Sequence, residues 1–205
     1  MGIAAALIVV GSNLVLAPIG AILVLVWAWL AKVPWRDLGF SRPRSWAITL
    51  IAGVIAGVLL KLLLKALVMP LLGAPETNAH FHFIVGNRSA MVSMILASVL
   101  VGGIAEEILY RGFLFERLGR LLGQSRAATI GIVLLTTAFF ASIHIPEQGF
   151  YGAMQAAFTG LASATIFAVT RRLWFPIAMH AAYDVTAVII IYLDLETRVA
   201  HALLS

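Results

Sequence analysis

Residues 90–118 read AMVSMILASVLVGGIAEEILYRGFLFERL, and the fold follows from how that stretch is understood. The run from Ala90 to Leu109 is long enough, at about 1.5 Å per residue, to cross about 30 Å of hydrocarbon. Near its end two adjacent carboxylates, Glu106 and Glu107, and a guanidinium, Arg111, stand in otherwise apolar sequence. Each such group costs roughly 2.5–3.5 kcal/mol at the centre of an inserted helix, so a helix that keeps all three needs partners for them in the protein interior. Glu107 and Arg111 are four residues apart, share a face and offset one another as an ion pair. Glu106 projects about 100° away and is free to meet a different set of helices.

The flanking sequence has the same character. Of 205 residues, 62% are apolar and 11% charged, and the mean hydropathy is +1.03, outside the range of ordinary soluble domains. Six apolar runs qualify as spans: Ile3–Leu30, Trp46–Met69, Ala90–Leu109 continuing helically toward Leu118, Ala127–Ile145, Tyr151–Val169 and Trp174–Leu193. The expected fold is therefore all-α, a polytopic transmembrane bundle of about six spans with its polar site in the interior. The links at 31–45, 70–89, 119–126, 146–150 and 170–173 are too short to hold a second domain. Residues 1–205 read as a single membrane domain with a motif-bearing core at about 90–193. The stretch Gly2–Leu30 lacks a charged leader and is too long for a signal-peptide core, so it reads as a retained span.

Charge sets the expected orientation. Lys32, Arg36, Arg42 and Arg44 lie at the first link, Arg117, Arg120 and Arg126 at the third, and Arg171 and Arg172 at the fifth, against only Arg88 and Arg198 on the other side. By the positive-inside rule, links 31–45, 119–126 and 170–173 are cytoplasmic and both termini lie opposite. The net charge of +5 is scattered over these links and forms no single stripe, which favours lipid headgroups over nucleic acid as partner. Lys61 and Lys65, an i, i+4 pair inside the second span, read as snorkelling side chains, with a cavity lining as the alternative. Cysteine is absent, which removes thiolate metal sites and thiol nucleophiles.

Polar groups recur in two later spans. The fourth ends in Phe139-Phe140-Ala141-Ser142-Ile143-His144, and the sixth contains His180-Ala181-Ala182-Tyr183-Asp184, where His180 and Asp184 share a face. Two carboxylates and two histidines from three helices suit a base-plus-donor site around one water, able to hydrolyse an amide. His80 and His82, in the polar second link beside Glu76 and Asn78, read as solvated loop residues, and His201 belongs to the tail. The Phe139-Phe140 pair reads as packing. Gly102-Gly103 allows close helix approach or a local kink.

Glu106-Glu107-x-x-x-Arg111, Phe140-x-x-x-His144 and His180-x-x-x-Asp184 together resemble the three motifs of the type II CAAX prenyl endopeptidases and their bacterial relatives, the CPBP or glutamate-type intramembrane proteases. The resemblance spans Glu106 to Asp184, and the first two spans carry no matching motif. It implies that Glu106 and His144 activate the hydrolytic water, that Glu107 and Arg111 hold the helix geometry with Phe140 in support, and that His180 and residue 184 stabilise the oxyanion. It also implies a membrane-associated peptide or protein substrate, with a prenylated CAAX-like peptide as a family association. The prenyl endopeptidase branch has Asn at the last motif position, where this chain has Asp184. An ionised carboxylate repels an oxyanion, so Asp184 must be protonated, orient His180 or contact something positive.

No cofactor is expected. The set Glu, His, His and Asp also suits zinc, but HExxH or a comparable histidine pair is lacking, which places metal-free hydrolysis first. The alternative functions are a proton-coupled transporter, for which no inverted repeat is visible, and a non-catalytic immunity or scaffold protein. Straight rods leave one difficulty. Counted from Leu118, Ala127 and Trp174 as cytoplasmic ends, Glu106 lies about 18 Å deep, His144 about 26 Å and His180 about 9 Å. Tilted helices or a shifted boundary are expected to bring them level, in a chamber opening toward the cytoplasmic side.

Overall fold

A computed structural model describes residues 15–123 and 125–203. Among them there is no strand, and the elements are helices: α1 (Leu16–Leu30), α2 (Trp46–Leu71), α3 (Arg88–Leu122), α4 (Arg126–Ser142), α5 (Ile145–Thr170), α6 (Trp174–Tyr192) and a short α7 (Glu196–Ala200), with a 3₁₀ turn at Ala79–Ile84. Four of these, α2, α3, α5 and α6, are long and apolar enough to cross a membrane. The other two expected spans are the shorter apolar helices α1 and α4, and the start of the first expected span, residues 3–14, lies outside the described residues.

The link expected at 146–150 is a kinked stretch: one helical turn from Ile145 leads to Gly149, beyond which the long run of α5 begins. Pro146 sits in the first turn of α5, where its missing N–H has no helical partner to lose, and only Gly149 (φ 66°) breaks the helical path. His144, placed by sequence inside the fourth span, instead follows the end of α4 and caps α5.

Helix α6 is the hub. α2 packs on one side of it through Gly53 and Gly57, where a Cβ on Gly57 would stand 2.1 Å from the Met179 carbonyl oxygen. α3 packs on another side through Gly103, whose Cβ would stand 2.7 Å from that of Ala181. Small residues allow close backbone approach where lipid provides no hydrophobic drive for helix association. Of the two readings of Gly102-Gly103, close approach is thus realised. α3 also takes wider π turns over Ser98–Glu106 and Ile108–Leu114, flanking Glu107; such turns recur at functional sites.

The links sort to two ends. Arg36 and Asp37, Gly119 and Arg120, and Arg171 and Arg172, from the first, third and fifth links, surround one hollow. This common end also brings two of the three groups level. Gly112 of α3 lies level with the Leu38 carbonyl and the Leu173 side chain, so the amphipathic stretch from Phe113 to Leu122 overshoots α6, with α4 beginning beside it. Counted from Gly112, Glu106 is about 9 Å deep, the same as His180 counted from Trp174. A boundary was misplaced, because Glu116, Arg117 and Arg120 carry α3 past the start of α6 and through the polar end.

Candidate active site

The terminus of α4 prepares His144. The Ile143 and His144 amides bond back to the Phe139 and Ala141 carbonyls at 3.3 and 3.1 Å, and the Phe140 carbonyl oxygen lies 2.7 Å from His144 Nδ1. A carbonyl only accepts, so Nδ1 carries the proton and donates, and Nε2 is left with a lone pair. The Phe140 ring, 1% exposed, fills the space between the two histidines, with centroids 4.7 Å from His144 and 5.8 Å from His180.

Glu107 and Arg111 lie behind this ring. Glu107 Oε1 stands 3.1 Å from Arg111 Nη1 and accepts from His180 Nδ1 at 2.8 Å. Arg111 Nη2 donates to the Gly160 carbonyl at 3.2 Å, and its guanidinium lies 4.5 Å over Phe140. The pair has relative side-chain exposures of 2% and 0%, so its charges are compensated only by one another and by these neighbours. The bond to Glu107 fixes the tautomer and ring plane of His180, the role a carboxylate plays behind any oriented imidazole.

His180 Nε2 then faces two further carboxylates, with Asp184 Oδ2 at 3.6 Å and Glu106 Oε2 at 3.9 Å. Asp184 reaches it because Gly102 lacks a side chain, where a Cβ would stand 2.4 Å from Asp184 Oδ2. Glu106, His144, His180 and Asp184 all line one cavity of about 750 Å³. Glu107 and Arg111 do not, and this separates the two adjacent glutamates as their 100° divergence suggests.

Residues 88–186 match the family described as type II CAAX prenyl endopeptidase, Rce1-like. That segment, just under half of the chain, is similar to this protease family. No curated protein and no solved structure matches the chain. The Rce1-like segment begins with α3 and contains all three motifs, and with four helices of membrane-spanning length the chain is an integral membrane protein.

The cavity differs from the sequence reading in two respects. Its rim includes Thr77 and His80 of the second link and Glu147 and Gln148 of the first turns of α5, so it opens at the end opposite the basic links, not toward them. The overshoot of α3 and the first link cover the basic end. His80 is exposed at this rim, and His201 Nε2 lies 2.9 Å from Glu76 Oε1 beside it.

The second respect is Lys61 and Lys65, which line the cavity instead of snorkelling. Lys65 pairs with Glu196 at 3.0 Å, and Lys61 donates to Gln155 Oε1 at 2.9 Å. Gln155 and Tyr183, which donates to the same oxygen at 3.0 Å, went unnoticed in the sequence. A lone amide within an apolar helix was the available signal. Among the described residues, no three His, Asp or Glu side chains are grouped to hold a metal ion.

Proposed function

We propose that the chain is an intramembrane endopeptidase that hydrolyses a peptide bond by water activated between Glu106 and His144. The observation that carries this reading is the shared cavity: groups from α3, α6 and the α4–α5 junction face one space. Glu106 takes a proton from the water, and His144 Nε2, held as acceptor by the Nδ1–H bond to Phe140, orients it. The water oxygen bonds to the scissile carbonyl carbon, the C–N bond breaks, and Glu106 returns the proton to the leaving amine.

His180, whose Nδ1 donates to Glu107, donates from Nε2 to the oxyanion when its ring holds a second proton. Asp184 Oδ2, 3.6 Å from the same nitrogen, lies beyond hydrogen-bond reach and acts on the His180 ring through its charge, leaving the Nε2–H to the oxyanion. Glu107, Arg111 and Phe140 are positioning residues. The substrate is a membrane-associated peptide or protein, with prenylated CAAX-like peptides as the class the family points to. No metal takes part, and the basic links 31–45, 119–126 and 170–173 are cytoplasmic.

Purified protein, offered prenylated and unprenylated peptides with and without chelator and read by mass spectrometry, tests these points together. Glu106→Gln and His144→Ala are each expected to lower cleavage by at least about 100-fold while the protein stays folded, and chelator is expected to change nothing. Full activity in both variants, or Glu106-dependent proton flux in liposomes without hydrolysis of any peptide, would overturn the reading.

A further inference from the structure

Lys61 is a buried cation that the chemistry above does not use. It belongs to α2, outside the Rce1-like segment, and its side chain is nine-tenths buried at 9% exposure. It lines the same cavity as Glu106 and His180. One turn further on, Lys65 has an anionic partner, Glu196. Lys61 has a neutral one: it donates to Gln155 Oε1 and lies 4.9 Å from the centroid of the Tyr183 ring. Among the described residues no carboxylate oxygen lies within 4.0 Å of its ammonium: Asp184 and Glu196 act on it through space, and their contacts are with His180 and Lys65.

An ammonium withdrawn from water without an anion is costly, and such residues in membrane helices mark a ligand path. Its hydrogen-bonding capacity is also unfilled, since an ammonium has three donors. Gln155 adds to this. Its carbonyl oxygen accepts from both Lys61 and the Tyr183 hydroxyl, which leaves its NH₂ group, with two more donors, for a partner in the cavity that Gln155 lines. A cation and an amide set side by side match one ligand chemistry, a carboxylate.

We infer that Lys61 and Gln155 form a carboxylate-binding subsite of the cavity, which selects peptides that bring an anionic group beside the hydrolytic centre. This rests on reading the cavity as a peptidase site. The carboxylate belongs either to the C-terminus of the peptide or to an Asp or Glu side chain.

The test is binding to the full chain in detergent, in a Glu106→Gln background so that nothing is consumed. The probes are a fluorescent apolar heptapeptide as C-terminal acid and as C-terminal amide, and amide versions with one Asp or one Asn at each position. The acid, or one Asp peptide, is expected to bind about tenfold more tightly than its neutral counterpart. Adding Lys61→Met, which keeps the length of the side chain and leaves Gln155 bonded to Tyr183, is expected to bring that ratio to about one, and Lys61→Arg to restore it in part. Preference for the acid assigns the subsite to the C-terminus, and preference for an Asp peptide assigns it to a side chain. Equal binding of charged and neutral peptides, a ratio unmoved by Lys61→Met, or no binding of any of these peptides overturns the proposal. A Lys61-dependent preference in a protein whose Glu106 form cleaves no peptide would leave the subsite standing and remove the peptidase reading instead.

Discussion

The two ends of the bundle use the same residue types in opposite ways. At the basic end, Arg36 and Asp37 pair at 3.6 Å with 79% and 36% of their side chains exposed, and Arg120 reaches Asp37 at 3.9 Å from a side chain 56% exposed. Toward the cavity end, Glu107 pairs with both Arg111 and His180, at 0–7% exposure. The first set stands in water, where ion pairs contribute little and salt screens them. The second set has no water to fall back on, and removing one member leaves the rest buried and uncompensated. Burial, more than residue type, decides which charges this fold depends on.

The largest effect is therefore expected for Arg111→Met, which strands the Glu107 carboxylate. Thermal unfolding in detergent should register a loss of roughly 3–5 kcal/mol, and unchanged stability would show that the pair is not buried as described. Next is Gly57→Ala, which puts a methyl group where the Met179 carbonyl of α6 stands. Separating two packed helices is expected to cost about 1–3 kcal/mol, seen as a lower melting temperature. At the basic end, Arg36→Gln is expected to cost no more than about 1 kcal/mol, and any difference from the unaltered protein should vanish in 1 M salt, where the screening length is about 3 Å. A larger, salt-resistant loss there would erase the contrast between the two ends.

How much of this was legible in the sequence follows from the same physics. Apolar length gave the helices, because lipid leaves a backbone no alternative partner. The acids and histidines stood out because each is expensive in an apolar run, and the i, i+4 spacing of Glu107 and Arg111 anticipated their contact. Depth is not legible from hydropathy, because Phe113–Leu122 stays helical beyond the level at which α6 begins. The opening of the cavity was misplaced for the same reason. The break expected at 146–150 is there as the kink at Gly149, although Pro146 itself occupies a first turn, where proline is tolerated. Lys61 reads locally as a snorkelling side chain or a cavity lining, and the distant Gln155 and Tyr183 decide for the cavity. Gly53 and Gly57 acquire meaning once α6 is seen against them.

The most direct test of the account is a double-mutant cycle on kcat/KM for peptide cleavage with Glu106→Gln and His144→Ala, in proteins shown to be folded. Two residues acting on one water lose their function together, so the double variant should be about as slow as the slower single variant. Losses that multiply would mean that Glu106 and His144 act independently, and would contradict a single site built from both.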